Sequence, residues 1–208
     1  MNASDFSSLK ITDFLDILST KAPVPGGGGA SALVGAVASA LASMVANLTT
    51  GKKKYAEYEP DIQRIIGEAK LESDKLIDLI QADADAFYPL SQAYGLDKNA
   101  DNRDFELQRT LRAAIDPPLL IMQEITRVIA LHDELLKKGS KIALSDVGVG
   151  AIMCKSALLG ASLNVFINTK LLTDRTFAEE TNKYANELID KYGKMADEIF
   201  DRVKKELN

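Results

Sequence analysis

The chain has 208 residues, with 25 Lys and Arg against 30 Asp and Glu, a net charge of −5, one His, one Cys and no Trp. A lone cysteine excludes a disulfide framework and a multi-cysteine zinc site, and a lone histidine excludes a multi-histidine metal centre within one chain. Only His132 could serve a Ser-His-Asp triad, so the chemistry falls to carboxylates, lysines, amides, hydroxyls and backbone N–H groups.

The length suits one domain over residues 1–208, and the acidic balance argues against nucleic acid as a partner. Asp5, Lys10, Asp13 and Asp16 interrupt any early hydrophobic run, so no signal peptide is expected. With a single thiol, that reading assigns the chain to the cytoplasm.

Helical spacing recurs along the chain, and alternating runs long enough for strands do not. Helices are expected at 8–20, 30–49, 60–93, 102–115, 117–138, 145–171 and 174–206, ending near Gly51, Gly95 and Gly139. The expected fold is an all-α, single-domain helical bundle.

Before the second helix stands Pro23-Val24-Pro25-Gly26-Gly27-Gly28-Gly29. The glycines expose backbone N–H groups at a helix start, where an anion or a closely approaching ligand is favoured. No Gly-Lys-Ser/Thr follows and no strand precedes, so the run is neither a P-loop nor a dinucleotide fingerprint. A flexible connector is the plain alternative.

From Ala22 to Gly51 no residue is charged, a length that raises a membrane span. Yet Ala30–Leu48 holds seven Ala, three Ser and one Gly. Gly35, Ala38, Ser39, Ala42 and Ala46 form one stripe, with Leu33, Val37, Leu41, Met44 and Leu48 opposite. The reading is a buried central helix closely approached by another backbone, with no membrane partner. Lys52, Lys53 and Lys54 then follow Gly51, either as ordinary cations at a helix C-terminus or as an anion site.

In the third helix Leu76, Leu79, Ile80, Ala86, Phe87 and Leu90 share an arc of about 120° with Asp83 near its middle. Asp74, Asp78 and Asp85 fall opposite. Asp83 therefore faces an interior or cleft, where burial raises a carboxyl pKa and makes it a useful base near neutral pH. A buried salt bridge would explain it equally well.

His132, followed by Asp133 and Glu134, reads as a surface residue. The helix from Ser145 is the second small-striped one, aligning Gly150, Cys154, Ala157, Ala161, Asn164 and Asn168. Cys154 reads as a small buried hydrophobe, and the two asparagines need either interhelical partners or a ligand.

Taken together, PVPGGGGASA (Pro23 to Ala32), MVANLTTGKKKY (Met44 to Tyr55), DADAF (Asp83 to Phe87), SDVGVGA (Ser145 to Ala151) and NVFIN (Asn164 to Asn168) resemble the cyclodeaminase/cyclohydrolase family. That family includes the cyclodeaminase domain of formiminotransferase-cyclodeaminase and stand-alone methenyltetrahydrofolate cyclohydrolases. The resemblance implies a homodimer and tetrahydrofolate chemistry with no metal and no cofactor beyond the folate substrate. Its catalytic aspartate carries over to Asp83. Some relatives have another aspartate where this chain has Gln81.

On that basis the expected activity is hydrolysis of 5,10-methenyltetrahydrofolate to 10-formyltetrahydrofolate, because no formiminotransferase domain accompanies the chain. Asp83 and Lys53 are the expected catalytic residues. Gly26, Gly27, Gly28, Gly29, Lys52, Lys54, Asp146, Asn164 and Asn168 are expected to bind substrate. The alternatives are a formiminotetrahydrofolate cyclodeaminase releasing ammonia and a non-catalytic folate-binding scaffold.

Overall fold

The computed structural model describes residues 5–208, and it is helical throughout, with no strand among them. Residues 1–4, at the start of the expected domain and of the segment read as lacking a signal peptide, lie outside the described residues. Eight helices follow in order: α1 (Ile11–Leu18), α2 (Gly27–Asn47), α3 (Glu59–Tyr94), α4 (Arg103–Ala113), α5 (Asp116–Lys138), α6 (Leu144–Thr169), α7 (Arg175–Leu188) and α8 (Lys194–Leu207). A π turn, Ile189–Gly193, joins the last two into one rod, matching the single helix expected from 174 to 206.

Local chemistry sets the boundaries. Pro117 and Pro118 open α5, where a missing N–H costs nothing. Asp174 caps α7 by accepting from the Phe177 N–H at 3.0 Å. Gly51 closes the turn after α2 with φ +73°, a conformation that favours glycine.

The start of α2 differs from expectation. Gly27, Gly28 and Gly29 are its first turn rather than a loop before it, and Gly26 is the N-cap. Glycine is a poor helix former, but at Gly28 the Asp83 carboxylate stands where a β-carbon would. The preceding Val24–Pro25 peptide is cis.

α2 lies between α3 and α6, with α5 behind all three and α8 on the far side of α6. α2 and α6 run antiparallel, since Gly27 meets Asn164 and Gly160 meets Ser31. The small-residue stripe of α2 is buried, and a β-carbon at Gly35 would stand 3.1 Å from Ile125 and 3.3 Å from Leu76. Among the larger apolar residues Val45 is buried, while Val37, Met44 and Leu48 turn outward, each about 40% exposed. On α6, Val149, Leu159, Leu163 and Ile167 are exposed as well, so both helices leave apolar side chains uncovered. Both are long and apolar enough to cross a membrane, yet about half of each is buried within the bundle.

Candidate active site

Asp83 lies on the arc of α3 that faces the first turn of α2. It is largely buried, and Oδ2 accepts a hydrogen bond from the Gly29 N–H at 3.0 Å. Oδ1 stands 2.1 Å from where a β-carbon on Gly28 would be. The glycine run thus admits a carboxylate against the backbone. The N–H of Gly29 serves Asp83 rather than a ligand directly.

Burial pushes the Asp83 carboxyl up to about 6, and the Gly29 hydrogen bond only partly offsets it. Such a group is ionised at neutral pH yet basic enough to take a proton. No cation pairs with it among the described residues, so the salt-bridge explanation of its burial does not apply.

A cleft of about 120 Å³ opens beside Asp83, lined by Gly26, Gly27, Phe87, Asn164 and Asn168 among others. Asn164 Nδ2 donates to the Gly160 carbonyl at 3.0 Å, and its amide lies against Gly27. Asn168 is buried, and its Nδ2 donates to the Ala114 carbonyl at 2.9 Å, tying α6 to the start of α5. Each amide oxygen is left available to the cleft.

The neighbouring polar residues of α3 do other work. Asp74, Asp78 and Asp85 are exposed, as their opposite arc implies. Gln81 donates to Asp85 at 2.8 Å and accepts from the Phe6 N–H at 2.8 Å, which anchors the N-terminal segment.

The remaining expected residues lie elsewhere. Lys52, Lys53 and Lys54 follow the C-terminal end of α2, whose 21 residues at about 1.5 Å each span about 30 Å. Lys52 Nζ donates to Ser140 Oγ at 3.2 Å, and none of the three lysines forms an ion pair among the described residues. Asp146 begins α6 near Ser140, at the same distant end. One chain therefore gathers Gly26–Gly29, Asp83, Asn164 and Asn168, and does not bring Lys53 or Asp146 to them.

His132 corrects the sequence reading, because it is fully buried rather than on the surface. Its ring packs on Gly150, where a β-carbon would stand 2.1 Å from it, and Nε2 lies 3.0 Å from the Ala38 carbonyl. The apolar spacing of Ile125, Val128, Ile129, Leu135 and Leu136 carried that signal, masked by the acidic pair that follows it. Cys154 is buried as expected, and burial pushes its thiol upward.

A charged cluster with no local sign in the sequence joins α3 to α5. Glu72 and Glu124 are both buried, with Lys75 Nζ 3.0 Å and 3.2 Å from them and Arg127 2.7 Å from Glu124. Burial, then the Glu124 carboxylate, raises the Glu72 pKa. The cluster clamps α3 to α5. Among the described residues no group of three or more His, Cys, Asp or Glu is arranged to hold a metal ion.

Comparison with known proteins gives this geometry a context. Residues 10–187 match the family model described as formiminotransferase-cyclodeaminase. The chain is 40% identical to the methenyltetrahydrofolate cyclohydrolase of Methylorubrum extorquens, over 95% of this chain and 97% of that protein. It is 33% identical to the formimidoyltransferase-cyclodeaminase of Mus musculus over 85% of this chain, but spans only 33% of that longer protein. The solved structure of formiminotetrahydrofolate cyclodeaminase from Thermotoga maritima superposes with a TM-score of 0.82, at 32% identity and 95% coverage of each chain.

Proposed function

The chain belongs to the formiminotransferase-cyclodeaminase family, and from that premise we propose that it is a methenyltetrahydrofolate cyclohydrolase. The observation that carries the reading is its 40% identity, nearly end to end, with a protein of that activity. Asp83 supplies a chemistry that fits.

The bridging carbon of 5,10-methenyltetrahydrofolate is already electrophilic, since its positive charge is shared between N5 and N10. What the reaction needs is a base for water. Oδ1 of Asp83, with Oδ2 held by Gly29, takes a proton from water as the oxygen attacks that carbon. The tetrahedral adduct then breaks its bond to N5. Asp83 returns the proton to N5, the hydroxyl proton leaves to solvent, and the formyl group remains on N10. The carboxylate also stabilises the cationic substrate, while the amides of Asn164 and Asn168 orient the pterin against Gly26 and Gly27. Because the substrate brings its own electrophile, this route requires no metal and no cofactor.

The likeness to the Thermotoga cyclodeaminase favours a second reading, closure of a 5-formimino group onto N10 with loss of ammonia. Both routes pass through a tetrahedral carbon between the same nitrogens. A spectrophotometric assay with 5,10-methenyltetrahydrofolate beside one with 5-formiminotetrahydrofolate separates them. Turnover of the first is expected, turnover of the second alone overturns the assignment, and turnover of neither points to a folate-binding scaffold.

We infer a cytoplasmic homodimer as the working form. The outward apolar face of α2 and α6 supports self-association, and the buried thiol of Cys154 needs no oxidising compartment.

A further inference from the structure

We propose that Phe87 makes the Asp83 cleft selective for a folate whose one-carbon unit is positively charged, by holding that charge against the face of its ring. The inference rests on the folate reading above, which supplies the cation. In 5,10-methenyltetrahydrofolate one positive charge is shared between N5 and N10, whereas the formyl group of the product is a neutral amide.

Phe87 follows Asp83 by one helical turn of α3, which sets their β-carbons about 5–6 Å apart on one face. Both line the cleft, and no other aromatic residue lines it. Phe87 packs against the core yet stays only half-buried, so its ring has surface left for a ligand.

The rest of the lining suits a cation too. No Lys or Arg reaches the cleft. Its polar side chains are Asp83, Asn164 and Asn168. The two amide nitrogens donate to the Gly160 and Ala114 carbonyls, which leaves oxygens for the ligand. Pro23, Val24 and Ile167 supply apolar wall, and a cation held over an aromatic face gains more where water is excluded.

Asp83 and Phe87 divide the work between them. A carboxylate that must take a proton from water cannot also be the whole seat of the substrate's charge. The ring attracts a cation through its negative face and exchanges no proton, so it holds the charge while Asp83 turns to water. As water adds, that charge disappears. The ring therefore favours bound substrate over the neutral adduct, and its contribution belongs in KM rather than in kcat. Loss of the charge also loosens its hold on the product.

Fluorination tests this without changing the shape of the side chain, because each fluorine weakens the negative face of the ring. From one to three fluorines on Phe87, KM for 5,10-methenyltetrahydrofolate should climb stepwise, by about 3- to 30-fold in all, with kcat unchanged or slightly raised. Phe87→Leu, apolar and of similar size, should raise KM to a similar extent. The inhibition constant of 5-formyltetrahydrofolate, which carries the same carbon as a neutral amide, should stay at its wild-type value throughout. A flat KM across the series, an equal rise for the neutral inhibitor, or a fall in kcat at constant KM would overturn the proposal.

The wild type tests the underlying reading separately. If it binds 5,10-methenyltetrahydrofolate without turning it over, the cyclohydrolase reading alone is overturned, and dissociation constants replace KM in the same comparison. If it binds neither folate, both are overturned.

Discussion

Asp83 occupies the space that a side chain on Gly28 would need: Oδ1 lies 2.1 Å from the position of the absent β-carbon. Gly28→Ala therefore displaces the carboxylate rather than merely stiffening the helix. A misplacement of about 1 Å in a catalytic group can cost about 100-fold, and a loss of that order in kcat/KM is expected with helical content intact. Gly67→Ala is the control. It sits exposed in α3 with nothing within 4 Å, and should stabilise the protein by about 0.5–1 kcal/mol without affecting turnover.

Asp83→Asn keeps an oxygen for the Gly29 N–H and loses the base. Turnover should fall by roughly 10²- to 10⁴-fold, the usual range for a general base. Since the acting form is the carboxylate, wild-type kcat/KM should rise with pH through about 6 and level off above it. A flat profile between pH 5 and 8 would remove Asp83 from that role.

The same substitution should raise stability. The folded carboxyl titrates near 6 against an ordinary 3.8, so the fold favours the protonated form. Its stabilising contribution is complete below about pH 4 and is lost as pH rises through 6, to roughly 3 kcal/mol at pH 8. Urea unfolding should find Asp83→Asn more stable than wild type at pH 8 by up to about that amount, with the two converging near pH 4.

His132 acts in the opposite sense. Burial holds the imidazole down to about 4, so it stays neutral in the fold while an unfolded histidine protonates below about 6.5. Its contribution is present above 6.5 and is lost at about 1.4 kcal/mol per pH unit on acidification. The stability advantage of wild type over His132→Leu should shrink by about 2 kcal/mol between pH 7 and pH 5. Gly150→Ala, which drives a methyl into the ring, should cost about 1–3 kcal/mol in the same assay.

What was legible in the sequence depended on period and length. The 3.6-residue arc of α3 separated Asp83 from Asp85, two residues apart, because both sides of a long helix repeat the same message. The two faces of α2 were equally legible, but periodicity does not say which face meets the core. Only packing against Leu76 and Ile125 decided that the small one does. The separation of Asp83 from Lys53 was available as arithmetic, since a helix of α2's length cannot bring its own ends together. Glu72 and Glu124 stayed hidden because two carboxylates 52 positions apart give no local sign that they will be neighbours.

One buried face runs across the π turn at Ile189–Gly193. Each residue advances a helix by about 100°, so positions 18 apart share a face after five whole turns. Ala178, Thr181 and Ala185 face the bundle before it, and Ala196, Ile199 and Val203 after it. The two sets stand 18 residues apart, position by position, so the rod reads its sequence in one frame. Substitutions within Ile189–Gly193 leave that frame intact, whereas losing one residue would turn Val203 away from Gly148, where their present fit leaves only 3.0 Å for a β-carbon.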